Sequence, residues 1–154
     1  SIMIKIGDKI PNFTAKDLNG NDFDIQNYMG KKPLVIYFYP KDNTAGCTIQ
    51  ACSFRDQYQD FTDLGAEVIG ISSDSVASHQ KFSEQYKLPF ILLSDSDQKI
   101  RNLFGVPKGL LGLVPGRVTY VIDKEGIVKM IFDNELIIKK HISKALKKKK
   151  KIVQ

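Results

Sequence analysis

The chain has no long apolar stretch, and it is poor in both cysteine and histidine. Because none of its apolar runs approaches the roughly 20 residues that cross a bilayer, we expect no membrane-spanning helix. The two cysteines, Cys47 and Cys52, and the two histidines, His79 and His141, do not have the spacing of a zinc site. We therefore expect no bound metal, and each histidine is predicted to lie on a solvated helix face.

An arginine-rich amphipathic leader and a signal-peptide pattern are also lacking. Two cysteines without an export signal suit a reducing compartment, where a transient catalytic disulfide is allowed and a lasting one is unusual. With 154 residues, 42% of them hydrophobic, the chain can bury one sizeable core but not two. These features predict a single, non-secreted domain over residues 1–154.

Positive charge is concentrated near the C-terminus. Residues 139–151 contain eight lysines and no acid. The charge of these eight lysines exceeds the net charge of the whole chain, which is +6, so the rest of the chain is net negative. The five consecutive lysines at 147–151 are predicted to form a solvated, frayed helix end, where the helix dipole favours cations. We therefore expect a lysine-rich tail over 147–154 and no nucleic-acid or membrane partner, with adhesion to an anionic surface as the alternative.

Turn residues and hydrophobic periodicity predict alternating strands and helices. The predicted strands cover residues 34–39, 67–73, 90–94, 117–122 and 127–132, and the predicted helices cover 46–64, 76–86, 97–104 and 136–147. Residues 13–18 and 23–25 form a small extra hairpin around Asn19-Gly20. This order is typical of an α/β, thioredoxin-like fold, in which helices flank a central mixed sheet.

Cys47 follows a predicted strand and stands at the start of a predicted helix. The unpaired N–H groups and the dipole at a helix start favour an anion, so a thiol ionises there more readily than a free one. Five helical residues separate two Cα atoms by roughly 8.5 Å, whereas a disulfide tolerates about 7 Å. Cys47 and Cys52 therefore cannot bond while both are helical, which suits a redox switch better than a structural disulfide.

The segment from Pro40 through Thr44 to Cys47 resembles the active-site motif of the peroxiredoxins, Pro, three residues, Thr or Ser, two residues, Cys. A second cysteine five positions later is similar to the peroxiredoxin Q (bacterioferritin comigratory protein) group. The stretch Pro115-Gly116-Arg117-Val118-Thr119-Tyr120 is similar to its plastid members. Where the family often has Glu three residues after the first cysteine, this chain has Gln50.

The resemblance implies a role for each of five residues. Cys47 would be the thiolate nucleophile that attacks a peroxide and becomes a sulfenic acid. Thr44 would hydrogen-bond the sulfur and the peroxide, Arg117 would stabilise the negative charge, and Pro40 would shield the sulfur from water. Cys52 would condense with the sulfenic acid to form a disulfide.

The same resemblance implies the reaction partners. The expected substrates are hydrogen peroxide and organic hydroperoxides, and the expected reductant is thioredoxin or a similar dithiol protein. No cofactor is needed. The chain is expected to be a monomer in the plastid or the cytoplasm.

Three alternatives stay open at this point. A thioredoxin-type disulfide oxidoreductase would share the fold but requires Cys-x-x-Cys, and here position 50 is Gln. A copper-delivery protein of the same fold would need two cysteines with three residues between them and a histidine in a later loop. A non-enzymatic module could bind anions through the lysine-rich end.

Overall fold

The computed structural model describes residues 3–109, 112–113, 115–133 and 138–153. Within these ranges lie seven strands and five α-helices. The strands are β1 (Thr14–Lys16), β2 (Asp22–Asp24), β3 (Leu34–Phe38), β4 (Glu67–Ser72), β5 (Ile91–Ser94), β6 (Val118–Ile122) and β7 (Val128–Asp133). The helices are α1 (Ala45–Asp56), α2 (Tyr58–Asp63), α3 (Val76–Tyr86), α4 (Lys99–Phe104) and α5 (Lys139–Val153). Residues 136 and 137, where the sequence predicts the last helix to begin, lie outside the described ranges.

All seven strands form one mixed sheet in the order β2-β1-β5-β4-β3-β6-β7. Strands β3, β4 and β5 are parallel to one another, and β6 pairs antiparallel with β3. At the two edges, β7 pairs antiparallel with β6, and the β1–β2 hairpin pairs with β5. The predicted α/β class, the central mixed sheet and the extra N-terminal hairpin are confirmed.

The sheet separates two apolar clusters, and the central strand β3 contributes to both. Ile36 and Phe38 point into one cluster, which α4 covers, whereas Val35 and Tyr37 point into the other. The second cluster also contains residues of α1, α3 and α5. Because both faces of β3 are buried, its sequence is continuously apolar, as is usual for an interior strand. Among the described residues, no helix combines the length and the apolar character required to cross a membrane.

The predicted helix over 46–64 is divided into two. Gln57 has φ −108° and ψ 11°, which ends α1 at Asp56 and lets α2 begin at Tyr58. Phe54 and Phe61 are both buried, seven residues apart. That spacing continues a helical pattern across the break, so periodicity alone does not reveal it.

The lysine run is helical where the sequence predicts a frayed end. Helix α5 continues to Val153, and Lys149 is completely buried. Lys149 follows the buried Ala145 by four residues and Ile142 by seven, so the helical repeat carries it to the packed side. Burial lowers the pKa of Lys149 to about 8.

The prediction that both histidines lie on solvated faces is wrong, because each is fully buried. His79 on α3 contacts Asp42, which lies in the loop between β3 and α1. His141 on α5 is hydrogen-bonded through Nδ1 to the Thr119 hydroxyl at 2.7 Å, and its ring packs edge-on against Phe132. Each ring has polar partners inside the fold, which is the condition for burying an imidazole.

Candidate active site

Cys47 is the third residue of α1, and its side chain is buried against the sheet with 1% exposure. It belongs to the same apolar cluster as Tyr37 and Tyr39. The first N–H groups of a helix have no intrahelical partners, so the thiol stands at the positive end of α1. Burial, with the charge of the Cys47 sulfur adding, raises the pKa of Tyr37 well above its ordinary value, so the nearby phenol stays neutral.

Arg117 provides a cation directly at this sulfur. Its Nη2 donates a hydrogen bond to Cys47 Sγ at 3.3 Å, and the side chain is 5% exposed. The contact follows from the sheet, because β6 runs antiparallel to β3 and Val118 pairs with Phe38. Arg117 therefore lies beside the end of β3, from which the chain continues toward Cys47. A buried guanidinium in contact with a thiol stabilises its thiolate form.

Two glycines make this close approach possible. A Cβ atom on Gly46 would lie 2.7 Å from Ile138 Cδ1 and 3.1 Å from Arg117 Nη2. A Cβ atom on Gly116 would lie 1.8 Å from the carbonyl oxygen of Pro107. Larger residues at either position would displace the segment that carries Cys47 or the segment that carries Arg117.

Gln50 provides a second hydrogen bond to the guanidinium. It lies one helical turn after Cys47, is fully buried, and its Oε1 accepts from Arg117 Nη1 at 2.6 Å. Its Nε2 has no hydrogen-bond partner among the described residues. Because the amide is neutral, Gln50 orients Arg117 without neutralising its charge. The sequence marks Gln50 only as a departure from a family pattern, yet its position three residues after Cys47 places it on the same helix face.

Thr44 and Pro40 lie in the loop between β3 and α1. Thr44 occupies the N-cap position of α1, but its side chain makes no capping hydrogen bond. Its hydroxyl instead donates to the carbonyl oxygen of Lys41 at 2.8 Å, and the residue is exposed. Pro40 is half-buried directly after β3. The described hydrogen bonds join Cys47, Arg117 and Gln50 but do not connect Thr44 to the sulfur, so its role stays a prediction.

Cys52 is a half-buried free thiol on the same helix as Cys47. Since α1 is regular from Ala45 to Asp56, five helical residues separate the two cysteines, and their Cα atoms are roughly 8.5 Å apart. That separation exceeds what a disulfide spans. A bond between them requires part of α1 to unwind.

Arg101 joins the two segments that form the site. The sequence does not indicate this role of Arg101. From α4, its Nη1 donates to the carbonyl oxygen of Gly116 and its Nη2 to that of Tyr39, each at 2.9 Å. These carbonyls belong to the residue before Arg117 and to the residue before Pro40. Arg101 therefore ties the end of β3 to the segment that enters β6.

A cleft of about 560 Å³ lies elsewhere, between the β6–β7 turn and the end of α5. Lysines 124, 129, 148 and 151 contribute to its lining, and none of the five predicted site residues does. Within the described ranges, Asp42, Asp74 and His79 are the one group of side chains close enough to share a metal ion. Each of the three already has hydrogen-bond partners inside the fold.

This fold, with a buried cysteine at a helix start and an arginine directly before the neighbouring strand β6, defines a class of thiol-based redox proteins. Residues 6–131 match the AhpC/TSA family. A protein named peroxiredoxin Q, chloroplastic, from Oryza sativa subsp. japonica is 52% identical over 141 residues, which are 92% of this chain and 64% of the rice protein. The chain therefore belongs to the AhpC/TSA family and, within it, to the peroxiredoxin Q group.

Solved structures agree with this assignment. Peroxidoxin BcpB from Mycobacterium tuberculosis is 35% identical with a TM-score of 0.89, and the match covers 97% of this chain and 98% of that one. The bacterioferritin comigratory protein of Xanthomonas campestris is 31% identical with a TM-score of 0.84, and 92% of each chain is covered. The chain spans slightly less than two-thirds of the rice relative's length.

Proposed function

We propose that this chain is a thiol peroxidase in which Cys47 is the nucleophile. The observation that carries the proposal is the 3.3 Å contact between Arg117 Nη2 and Cys47 Sγ in the first turn of α1. The helix end and the guanidinium both favour a thiolate at this position. The same guanidinium can stabilise the negative charge that moves onto the leaving oxygen.

In the first step, the Cys47 thiolate attacks one oxygen of the peroxide. The S–O bond forms as the O–O bond breaks, and the leaving oxygen takes a proton to become water or an alcohol. Cys47 is thereby oxidised to a sulfenic acid. Thr44 would bind the peroxide from the N-cap position, and Pro40 would limit the access of water to the sulfur.

In the second step, the Cys52 thiol attacks the sulfur of the Cys47 sulfenic acid. A disulfide forms and water leaves, which requires the two cysteines to approach through local unwinding of α1. A dithiol protein of the thioredoxin type would then reduce the disulfide by exchange and supply the two electrons of the cycle. No cofactor takes part in either step.

The proposed substrates are hydrogen peroxide and organic hydroperoxides. The structure of the Xanthomonas campestris relative was described in connection with alkyl peroxide reduction activity, which supports the organic class. We also propose that the chain functions as one domain over residues 1–154, as a monomer. A plastid location is supported by the word chloroplastic in the name of the rice relative, with the cytoplasm as the alternative.

The direct test of this function is the peroxide-dependent oxidation of NADPH through thioredoxin reductase and thioredoxin. The parent protein should consume NADPH when hydrogen peroxide or an alkyl hydroperoxide is added, whereas Cys47→Ser should not, because a hydroxyl is a far weaker nucleophile. Equal consumption by the parent and by Cys47→Ser would refute the proposal. Insulin reduction by the parent without peroxide would support the thioredoxin-type alternative instead.

A further inference from the structure

The cleft between the β6–β7 turn and the end of α5 brings together lysines from separate parts of the sequence. Lys148 and Lys151, one turn apart, line it from α5, whereas Lys124 lines it from the turn and Lys129 from β7. These elements meet because α5 packs against both β6 and β7. The volume of about 560 Å³ is within the range of small-molecule sites.

Two acids also line the cleft, Asp123 and Glu125, so its four lysines leave it net positive. Asp123 Oδ1 accepts from the backbone N–H groups of Glu125 and Ile127, at 3.0 and 2.9 Å, and thereby shapes the turn. Its Oδ2 lies 3.5 Å from Lys129 Nζ, which is longer than a direct hydrogen bond. A long, exposed ion pair of this kind is weak, so Lys129 is available to an anion in the cleft.

A second groove, of about 220 Å³, adjoins the cleft and shares Lys148 and Lys151 with it. Lys144 and Lys147 line this groove as well, beside Met130. Residues 139–153, which form α5, include no acid. The positive charge of the cleft therefore continues along the helix, and a concave surface lined by one sign of charge attracts the opposite sign.

Lys149 adds a buried positive charge close to this surface. The residue is fully buried, and its Nζ has no hydrogen-bond partner among the described residues. Asp123 in the cleft lining is the neighbouring charge that favours its protonated form, and with a pKa of about 8 it is mostly protonated at pH 7. Such a buried cation costs stability, and costs of this kind are expected at functional sites. An anion in the cleft would compensate its charge.

The lining indicates the chemistry of the ligand. Lysine ammonium groups only donate hydrogen bonds and act as point charges, which suits the oxygens of phosphate groups. Several lysines around one concave site match a compact ligand with several negative charges. The large exposed apolar side chains of the described residues lie outside α5 and the β6–β7 turn. This surface therefore has no apolar anchor of the kind that inserts into a membrane.

We propose that this cleft is a binding site for a short phosphate chain, held by Lys124, Lys129, Lys148 and Lys151. The chain can be free inorganic triphosphate or the triphosphate of a nucleotide, since the lysines contact the chemistry that the two share. The cleft is lined by residues other than Cys47 and its partners, so this binding does not depend on the proposed peroxidase function.

The first test uses the reduced, unsubstituted protein and inorganic triphosphate at physiological salt. Isothermal titration calorimetry should show saturable binding of one triphosphate per chain, and citrate, whose charges are carboxylates, should bind more weakly. In NMR spectra, the amide signals of residues 123–129 and 148–152 should shift, whereas those of Lys139 and Lys140 should not. Binding that does not saturate, equal affinity for citrate, or shifts spread evenly along α5 would overturn the proposal.

The second test removes two charges from α5 at two different places. Lys148→Gln combined with Lys151→Gln should weaken triphosphate binding by about tenfold or more. Lys139→Gln combined with Lys140→Gln is the matched control, because these exposed lysines lie at least roughly 12 Å from Lys148 along the helix axis. That distance exceeds the Debye length of about 8 Å, so the control should change the affinity by less than about twofold. Equal losses in the two double variants would show only a general attraction to the helix and would overturn the site.

A third variant should act in the opposite direction. Glu125→Gln removes one of the two negative charges from the lining, so triphosphate should bind more tightly than to the parent. Unchanged or weaker binding would contradict the assignment of the ligand to this cleft. If Lys148→Gln does not fold, the exposed Lys151→Gln alone and the NMR titration of the unsubstituted protein decide the question.

Adenosine triphosphate distinguishes the two sources of the phosphate chain. An affinity equal to that of inorganic triphosphate would show that the phosphates alone are bound, and a higher affinity would show that the nucleoside adds contacts. Either result supports the site. A single-stranded oligonucleotide that binds more tightly than both, with equal losses in the two double variants, would assign the lysines to non-specific nucleic-acid binding and overturn the proposal.

Discussion

The guanidinium of Arg117 donates to the sulfur of Cys47 at 3.3 Å, and both side chains are almost completely buried. The two residues are 70 positions apart in the sequence, and the antiparallel pairing of β3 with β6 brings them together. In this low-dielectric setting, one fixed cation has a larger effect on a developing negative charge than it would in water.

Replacing Arg117 should slow the first oxidation of Cys47. Arg117→Ala removes a charge-assisted interaction, so we expect a loss on the order of 2–4 kcal/mol in transition-state stabilisation, or about two to three decades in rate. Arg117→Lys keeps the charge but loses the two-pronged geometry, so its rate should lie between those of the parent and of Arg117→Ala. Stopped-flow measurement of Cys47 oxidation checks both variants. An unchanged rate in Arg117→Ala would show that this contact does not assist the reaction.

Gln50 is expected to act through Arg117. Gln50→Met has a similar volume but cannot accept the 2.6 Å hydrogen bond from Nη1, so the guanidinium loses one of its fixed contacts. We expect peroxide attack to slow by about tenfold, which corresponds to about 1.4 kcal/mol. Gln85→Met on the exposed surface of α3 is the control and should react at the parent rate. Equal rates for Gln50→Met and Gln85→Met would remove Gln50 from the site.

Lys149 should make stability depend on pH. Its pKa is about 8 in the folded protein and 10.5 for the ordinary group, so below pH 8 the fold must bury a charged ammonium. That penalty is fully present below pH 8 and disappears as the pH rises toward 10.5. Lys149→Met should therefore raise the free energy of unfolding by about 2 kcal/mol at pH 7, and its advantage over the parent should shrink by pH 10.

Urea unfolding at the two pH values measures this effect. Lys150→Met replaces the exposed neighbouring lysine, so it should change the free energy of unfolding by no more than about 0.5 kcal/mol. A destabilised Lys149→Met, or a stabilisation that does not change between pH 7 and pH 10, would mean that Lys149 is not buried as a cation.

Disulfide formation should unwind α1 while the sheet stays intact. Cys47 and Cys52 cannot be bridged within a regular helix, so amide hydrogen exchange in residues 46–54 should be much faster in the disulfide form than in the dithiol form. The central strand β3 should stay protected in both. If residues 46–54 are equally protected in both forms, with the intramolecular disulfide confirmed by mass, the geometric argument is wrong.

Much of the fold follows from sequence periodicity. The apolar run of β3, the start of the helix after Thr44 and the β6–β7 hairpin lie within one or two residues of their predicted positions, whereas the predicted end of that helix is wrong because α1 stops at Asp56. Cys47 and Arg117 were identified from short motifs, and their contact is consistent with the predicted topology. Local patterns were sufficient here because each element has an apolar periodicity that agrees with its final environment.

The buried polar residues were the ones that sequence reasoning misplaced. His79 precedes the buried Phe82 by three residues, so helical spacing places it on the packed face of α3. Lys149 follows Ile142 by seven residues in the same way. Residue type favoured a solvated position in both cases, and the compensating partners of His79 come from distant elements. A sequence read locally does not reveal the Asp42 or Leu93 oxygens that make its burial possible.

The most direct measurement of the central claim is mass spectrometry of the cysteines after one equivalent of peroxide, quenched by thiol alkylation. The parent should lose both free thiols and gain an intramolecular disulfide between Cys47 and Cys52. Cys52→Ser should instead accumulate a sulfenic acid on Cys47, because the second thiol is missing. A Cys47 thiol that remains alkylatable in the parent, or turnover of Cys52→Ser with thioredoxin at the parent rate, would contradict this mechanism.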